Sequence, residues 1–134
     1  MRMLLALHVV MNLAWIGSIL SVGVLLAKGP GDAKARGGAA RTVYKLLAAP
    51  AFGFALLLGL AQLAQDPTFY FKTTHFMHAK LTLAAAAIGL HHALGALARK
   101  MESGQRESGP AGALTLALAA CAAGAAMLAT LKPF

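Results

Sequence analysis

Residues 3–27 read MLLALHVVMNLAWIGSILSVGVLLA, 25 positions without a single charge. The only strongly polar side chains in the run are His8, Asn12, Ser18 and Ser21. A helix needs about 20 apolar residues to cross a hydrocarbon core roughly 30 Å thick, and this run supplies them. A secretory leader also begins with a basic residue and an apolar run, and Arg2 fits that pattern. The run is too long for a leader, carries His8, Asn12 and Trp15, and has no A-x-A cleavage site. It therefore reads as a spanning helix.

Three further runs of the same kind follow: residues 43–64, 76–98 and 112–131. The whole chain of 134 residues is 59 % hydrophobic and 12 % charged, with a mean hydropathy of +0.70. Soluble domains carry about 25 % charged residues, so the apolar surplus here exceeds what a soluble core of this size can bury. This composition excludes a soluble enzyme, a disordered chain and a disulfide-rich secreted module, and the single Cys121 lies inside the fourth run. The expectation is one all-α integral membrane domain over residues 1–134, a transmembrane four-helix antiparallel bundle.

The net charge of +8 and the pI near 10.3 invite a nucleic-acid reading until the charges are located. The first gap and the start of the second run hold Lys28, Lys34, Arg36, Arg41 and Lys45, and the third gap holds Arg99, Lys100 and Arg106. These two gaps share one side of the membrane. Arg2, Lys72 and Lys132 fall on the other side, and Lys80 lies inside the third run. Eight basic residues against three make the first and third gaps cytoplasmic and place both termini outside. The basic pI then records orientation and contact with anionic headgroups rather than a nucleic-acid partner.

The gaps and packing faces complete the architecture. Lys28 to Ala40, with its Gly and Pro, reads as a flexible linker, and Phe69, Tyr70 and Phe71 in the second gap suit a membrane interface. Small residues four apart mark close helix contacts in lipid. They recur as Ala51, Ala55 and Gly59; as Ala85, Gly89 and Ala93; and as Ala113, Ala117, Cys121, Ala125 and Ala129. Pro50 is expected to kink the second helix.

Ionisable groups inside a membrane are costly and are functional candidates by default. His8, Asn12 and Trp15 fall within about 60° of one another on a helix, forming one polar stripe. The topology brings His8 level with the cluster His75, His78 and Lys80. On the third helix His78 and His92 share one face while Lys80 and His91 share nearly the opposite one, so one set looks inward. His75 and His92 lie towards helix ends, where headgroups relieve the cost of burial. Neutral imidazole ligates haem iron, copper or zinc, and Lys80 can pair with a carboxylate. Candidate cofactor contacts are therefore His8, Asn12, Trp15, His78, Lys80 and His91, with His8 and His78 the metal-ligand candidates. A second possibility is copper at the outer face, bound by His75, Met77 and His78. Hydrolytic chemistry has no residues here to carry it.

These residues also carry a resemblance. His78-Ala79-Lys80-Leu81 with His91-His92, Leu7-His8-Val9-Val10 with Trp15, Ala49-Pro50-Ala51 with Gly59-Leu60, and Lys132-Pro133-Phe134 occur in this order along nearly the whole chain. In this the sequence resembles the HemJ-type protoporphyrinogen IX oxidases, small bacterial four-helix membrane proteins that bind haem b. It departs from them at Gly17–Gly23 and at Arg106–Gly112, where polar residues of the family pattern are missing. The resemblance implies that His8 and Lys80 are the residues tied to activity and haem. It implies oxidation of protoporphyrinogen IX, with electrons passed to a membrane quinone or respiratory-chain partner. A haem-binding electron-transfer or structural subunit without that activity, and a CopD-like copper-handling protein, are the alternatives. Association into a homo-oligomer stays open.

Overall fold

The computed structural model describes residues 2–131. Its elements are helices α1 (Arg2–Lys28), α2 (Ala33–Val43), α3 (Ala49–Gln65), α4 (Phe76–Glu102) and α5 (Ala111–Leu131). A π-helical turn, Tyr44–Ala48, joins α2 to α3, so residues 33–65 form one continuous helical rod. Four helical segments are thus long and apolar enough to cross a membrane. Lys132-Pro133-Phe134, part of the resemblance and of the charge count, lies outside the described residues.

The first gap corrects the expectation of a flexible linker. Only Gly29 to Asp32 is non-helical, and the Asp32 carboxylate accepts a hydrogen bond from the Ala35 backbone N–H at 2.8 Å. That N-cap satisfies one of the donors a new helix leaves open, which is why a Gly-containing stretch rich in Ala becomes helical here. The second helical rod consequently starts ten residues before position 43.

Pro50 leaves its mark one turn earlier than a simple kink. With no N–H of its own and a ring that crowds the preceding turn, it disturbs the α ladder around residues 45–48. The chain responds with the wider turn, in which the Ala49 N–H reaches back five residues to the Tyr44 carbonyl. A second such turn, Phe69–Thr73, carries the aromatic residues of the second gap.

Helix contacts run in opposite directions along each neighbouring pair. Leu4, His8 and Trp15 of α1 meet Gln62, Ala55 and Phe52 of α3 in reverse order. Leu83 and Leu97 of α4 likewise face Gly124 of α5 and Gly109 just before it. Helix α1 also touches α5, and α2 packs on α4, whereas α3 and α4 barely meet. The buried apolar residues gather towards one end: Trp15, Ile19, Val22 and Leu26 of α1, Leu94, Leu97, Ala98 and Met101 of α4, with Ala40, Ala48, Ala111 and Leu118. That end carries the short α1–α2 and α4–α5 connections. At the far end a smaller buried group remains, with Phe76 and Met77 at the start of α4.

Of the small-residue faces, one holds as expected: Ala51 and Ala55 are buried and Gly59 lies against α1. The face Ala85–Gly89–Ala93 does not, since Ala85 and Gly89 are exposed and α4 instead buries Ala87, Leu94 and Ala98. On α5 the stripe holds in part: Ala113 and Ala117 are exposed, Cys121, Ala125 and Ala129 are partly buried with Cys121 against the core, and Ala111 and Leu118 are fully buried. An Ala-rich helix offers several such stripes, and the larger side chains nearby decide which one is used.

Candidate functional site

Two histidines enter the helix bundle, and their surroundings differ. His8, half-buried on α1, places Nδ1 2.9 Å from the Ala55 carbonyl of α3. A carbonyl only accepts, so Nδ1 carries the proton and Nε2 keeps its lone pair. A backbone carbonyl on one ring nitrogen is the usual way a protein orients an imidazole and readies the other nitrogen for a ligand. The Asn12 amide nitrogen lies 3.1 Å from that Nε2 and donates to the His8 carbonyl at 2.7 Å. Gly59 makes the approach of α1 to α3 possible, because a Cβ there would stand 2.9 Å from His8 Cε1.

Lys80, half-buried on α4, lies within electrostatic reach of His8. The chain has four carboxylates, and Asp32, Asp66, Glu102 and Glu107 all sit at helix ends or in loops. Among the described residues the Lys80 ammonium has no carboxylate partner. A cation without a partner within a long apolar helix is a candidate for binding an anion.

His91 is fully buried. Trp15 Nε1–H donates to its Nδ1 at 3.1 Å, which leaves the imidazole proton on Nε2. Tyr44 stacks on the ring at 4.9 Å between centroids, Phe52 lies at 4.8 Å, and the Trp15 ring meets it edge-on at 5.9 Å. His91 Nε2 has no hydrogen-bond partner. Its free nitrogen is therefore a donor, not a lone pair, and in this arrangement the ring does not present itself to a metal.

The two faces of α4 separate clearly. Lys80 and His91 look inward, while His78 and His92 are exposed. His78 Nε2 donates to the Phe71 carbonyl at 3.2 Å, so His8 and His78 share no hydrogen-bond partner. His75 is exposed while Met77 between them is buried, so these three side chains do not converge on one point. Among the described residues no three His, Cys, Asp or Glu side chains gather as a metal-binding group. His92 Nδ1 lies 3.4 Å from the Tyr44 hydroxyl.

Sequence reasoning did not single out Tyr44, Phe52, Ala55 or Gly59 as parts of a site. In a regular helix Tyr44 and Phe52 stand about 80° apart. The π turn takes up one extra residue and rotates the downstream helix back by about 100°, which brings both rings onto His91. Pro50 in the sequence is the only local sign of that shift.

The donor set fits a haem b group through one residue: His8, whose Nε2 lone pair now faces the Asn12 amide at 3.1 Å, within electrostatic reach of Lys80. His91 as placed does not add a second ligand. Comparisons with known protein families, with curated proteins and with solved structures find no match to this chain.

Proposed function

We propose that the chain is a haem-b-binding integral membrane protein, an antiparallel transmembrane four-helix bundle of the bacterial inner membrane with both termini outside. The observation that carries the reading is His8, its Nδ1 held by Ala55 and its Nε2 met only by the Asn12 amide, within electrostatic reach of a Lys80 that has no carboxylate partner among the described residues. A porphyrin matches both features, since it offers iron to the imidazole and propionate carboxylates to the ammonium. Haem, when bound, supplies one-electron redox chemistry.

On this reading the chain oxidises protoporphyrinogen IX to protoporphyrin IX, and its electrons leave to a membrane quinone or respiratory-chain partner. His8 Nε2 is the atom that holds the cofactor or accepts a proton from the substrate. Lys80 Nζ orients a carboxylate, and the apolar walls of the bundle keep water from the ring. Trp15 and Asn12 act through the two histidines: Trp15 sets the His91 proton, and Asn12 steadies His8.

The test is an absorption spectrum of the detergent-purified protein after expression with ample haem supply. A Soret band with reducible b-type α and β bands is expected, together with loss of at least half of the bound haem in His8→Ala. No Soret band in the wild-type protein would sink the proposal. Complementation of a strain lacking protoporphyrinogen oxidase then separates the oxidase from a haem-carrying electron-transfer subunit.

A further inference from the structure

A second polar feature lies at the other end of the molecule and plays no part in the proposed haem site. Arg41 of α2, Tyr44 of the π turn, and His92, Gly95, Ala96 and Arg99 of α4 line a cleft of about 240 Å³. Arg99 is nineteen positions beyond Lys80 on the same helix. That is a rise of about 28 Å, close to the full depth of a hydrocarbon core.

The cleft is built of donors. The Tyr44 hydroxyl is 3.4 Å from His92 Nδ1, and either tautomer leaves the pair one free donor: His92 Nε2–H when the hydroxyl donates, the Tyr44 O–H when Nδ1 does. The two guanidinium-bearing side chains come from different helices, and both line the cleft. A nearby carboxylate, Glu102, stands 3.9 Å from Arg41 Nε, which leaves the terminal nitrogens of Arg41 outside that pair. Arg99 has no ion pair among the described residues. Gly95 shapes the floor: a Cβ there would overlap the Tyr44 ring, so only glycine lets the phenol lie against α4.

We infer that this cleft binds the phosphate of an anionic membrane lipid. A guanidinium fork matches phosphate oxygens with paired hydrogen bonds, and two forks lining one cleft from separate helices hold one group better than scattered lysines would. The lining side chains sit on helices of membrane-spanning length, at the end where eight of the twelve basic residues collect. That is headgroup depth, where basic pockets between helices meet anionic lipid.

The experiment is native mass spectrometry of the detergent-purified protein, titrated with phosphatidylglycerol or with phosphatidylcholine of the same acyl chains. One phosphatidylglycerol is expected to bind about tenfold tighter than phosphatidylcholine. The pair Arg41→Gln and Arg99→Gln is expected to lose about 10- to 30-fold of that binding. The pair Lys28→Gln and Arg106→Gln removes two charges from the same end outside the cleft, and is expected to change it by less than about twofold. If the Arg41 change impairs folding, Arg99→Gln alone carries the comparison, with an expected loss of at least about threefold. Equal binding of the two lipids, or equal loss in the two variant pairs, would overturn the assignment. So would inorganic phosphate occupying the cleft as tightly as the lipid.

Discussion

The Trp15–His91 pair makes a quantitative prediction because its two ring nitrogens are in opposite situations. Nδ1 accepts from Trp15 at 3.1 Å, and Nε2–H has no partner although the ring is fully buried. Trp15→Phe removes the donor and leaves Nδ1 orphaned beside the already orphaned Nε2–H. An unsatisfied buried polar atom costs about 1–3 kcal/mol, and the smaller ring adds a packing loss of about 1 kcal/mol. The expected destabilisation is therefore about 2–4 kcal/mol. His91→Leu strands the Trp15 N–H but removes both imidazole nitrogens, so the two polar effects nearly cancel. What remains is the lost ring stacking with Tyr44 and Phe52, about 1 kcal/mol. In the double variant the orphans vanish together, and its cost should fall below the sum of the singles by about 0.5–2 kcal/mol. Reversible unfolding in mixed micelles, followed by far-UV circular dichroism, measures all three. If His91→Leu costs as much as Trp15→Phe, or the cycle shows no coupling, the His91 tautomer and its orphaned N–H are wrongly assigned.

Two other substitutions test the geometry elsewhere. Gly59→Ala places a methyl 2.9 Å from His8 Cε1 and should push the imidazole off Ala55 at a stability cost of about 1–3 kcal/mol, and under the proposed haem reading it should lower bound haem at least about threefold; unchanged stability would contradict the close approach of α1 to α3, and unchanged haem content the role given to His8. Pro50→Ala should destabilise, although alanine is by far the better helix former, because a regular helix would turn Tyr44 away from His91 by about 100°. A rise in thermal midpoint for that variant would show that the wide turn does not depend on the proline.

The parts of the fold legible in the sequence are those set by local forces. The spanning lengths were readable because an uncharged run of about 20 residues has few other homes. The inward face of α4 was narrowed to two choices by the spacing of Lys80, His78, His91 and His92, and the choice itself needed the neighbouring helices. The stripe of His8, Asn12 and Trp15 was visible, yet it divides between two centres: His8 turns to α3 and Trp15 to α4. The helix before Tyr44 was missed because its start depends on one cap, Asp32, in a segment whose glycines argue the other way. The small-residue face on α4 misled because a stripe of alanines marks where a helix can come close, not where one does.

The π turn at Tyr44–Ala48 has a consequence for chain length. Because it accommodates one residue beyond the α repeat, α2 and α3 are held in phase by an insertion rather than by unbroken winding. Removing a single residue from that turn, with Pro50 replaced by alanine so that the ladder can close, would return the rod to a plain α-helix while both halves keep the faces they now show to α1 and α4. The same deletion anywhere else along the rod would swing one half about 100° out of register and pull either Arg41 or Gly59 off its neighbour. Length, at this one place, is more negotiable than identity.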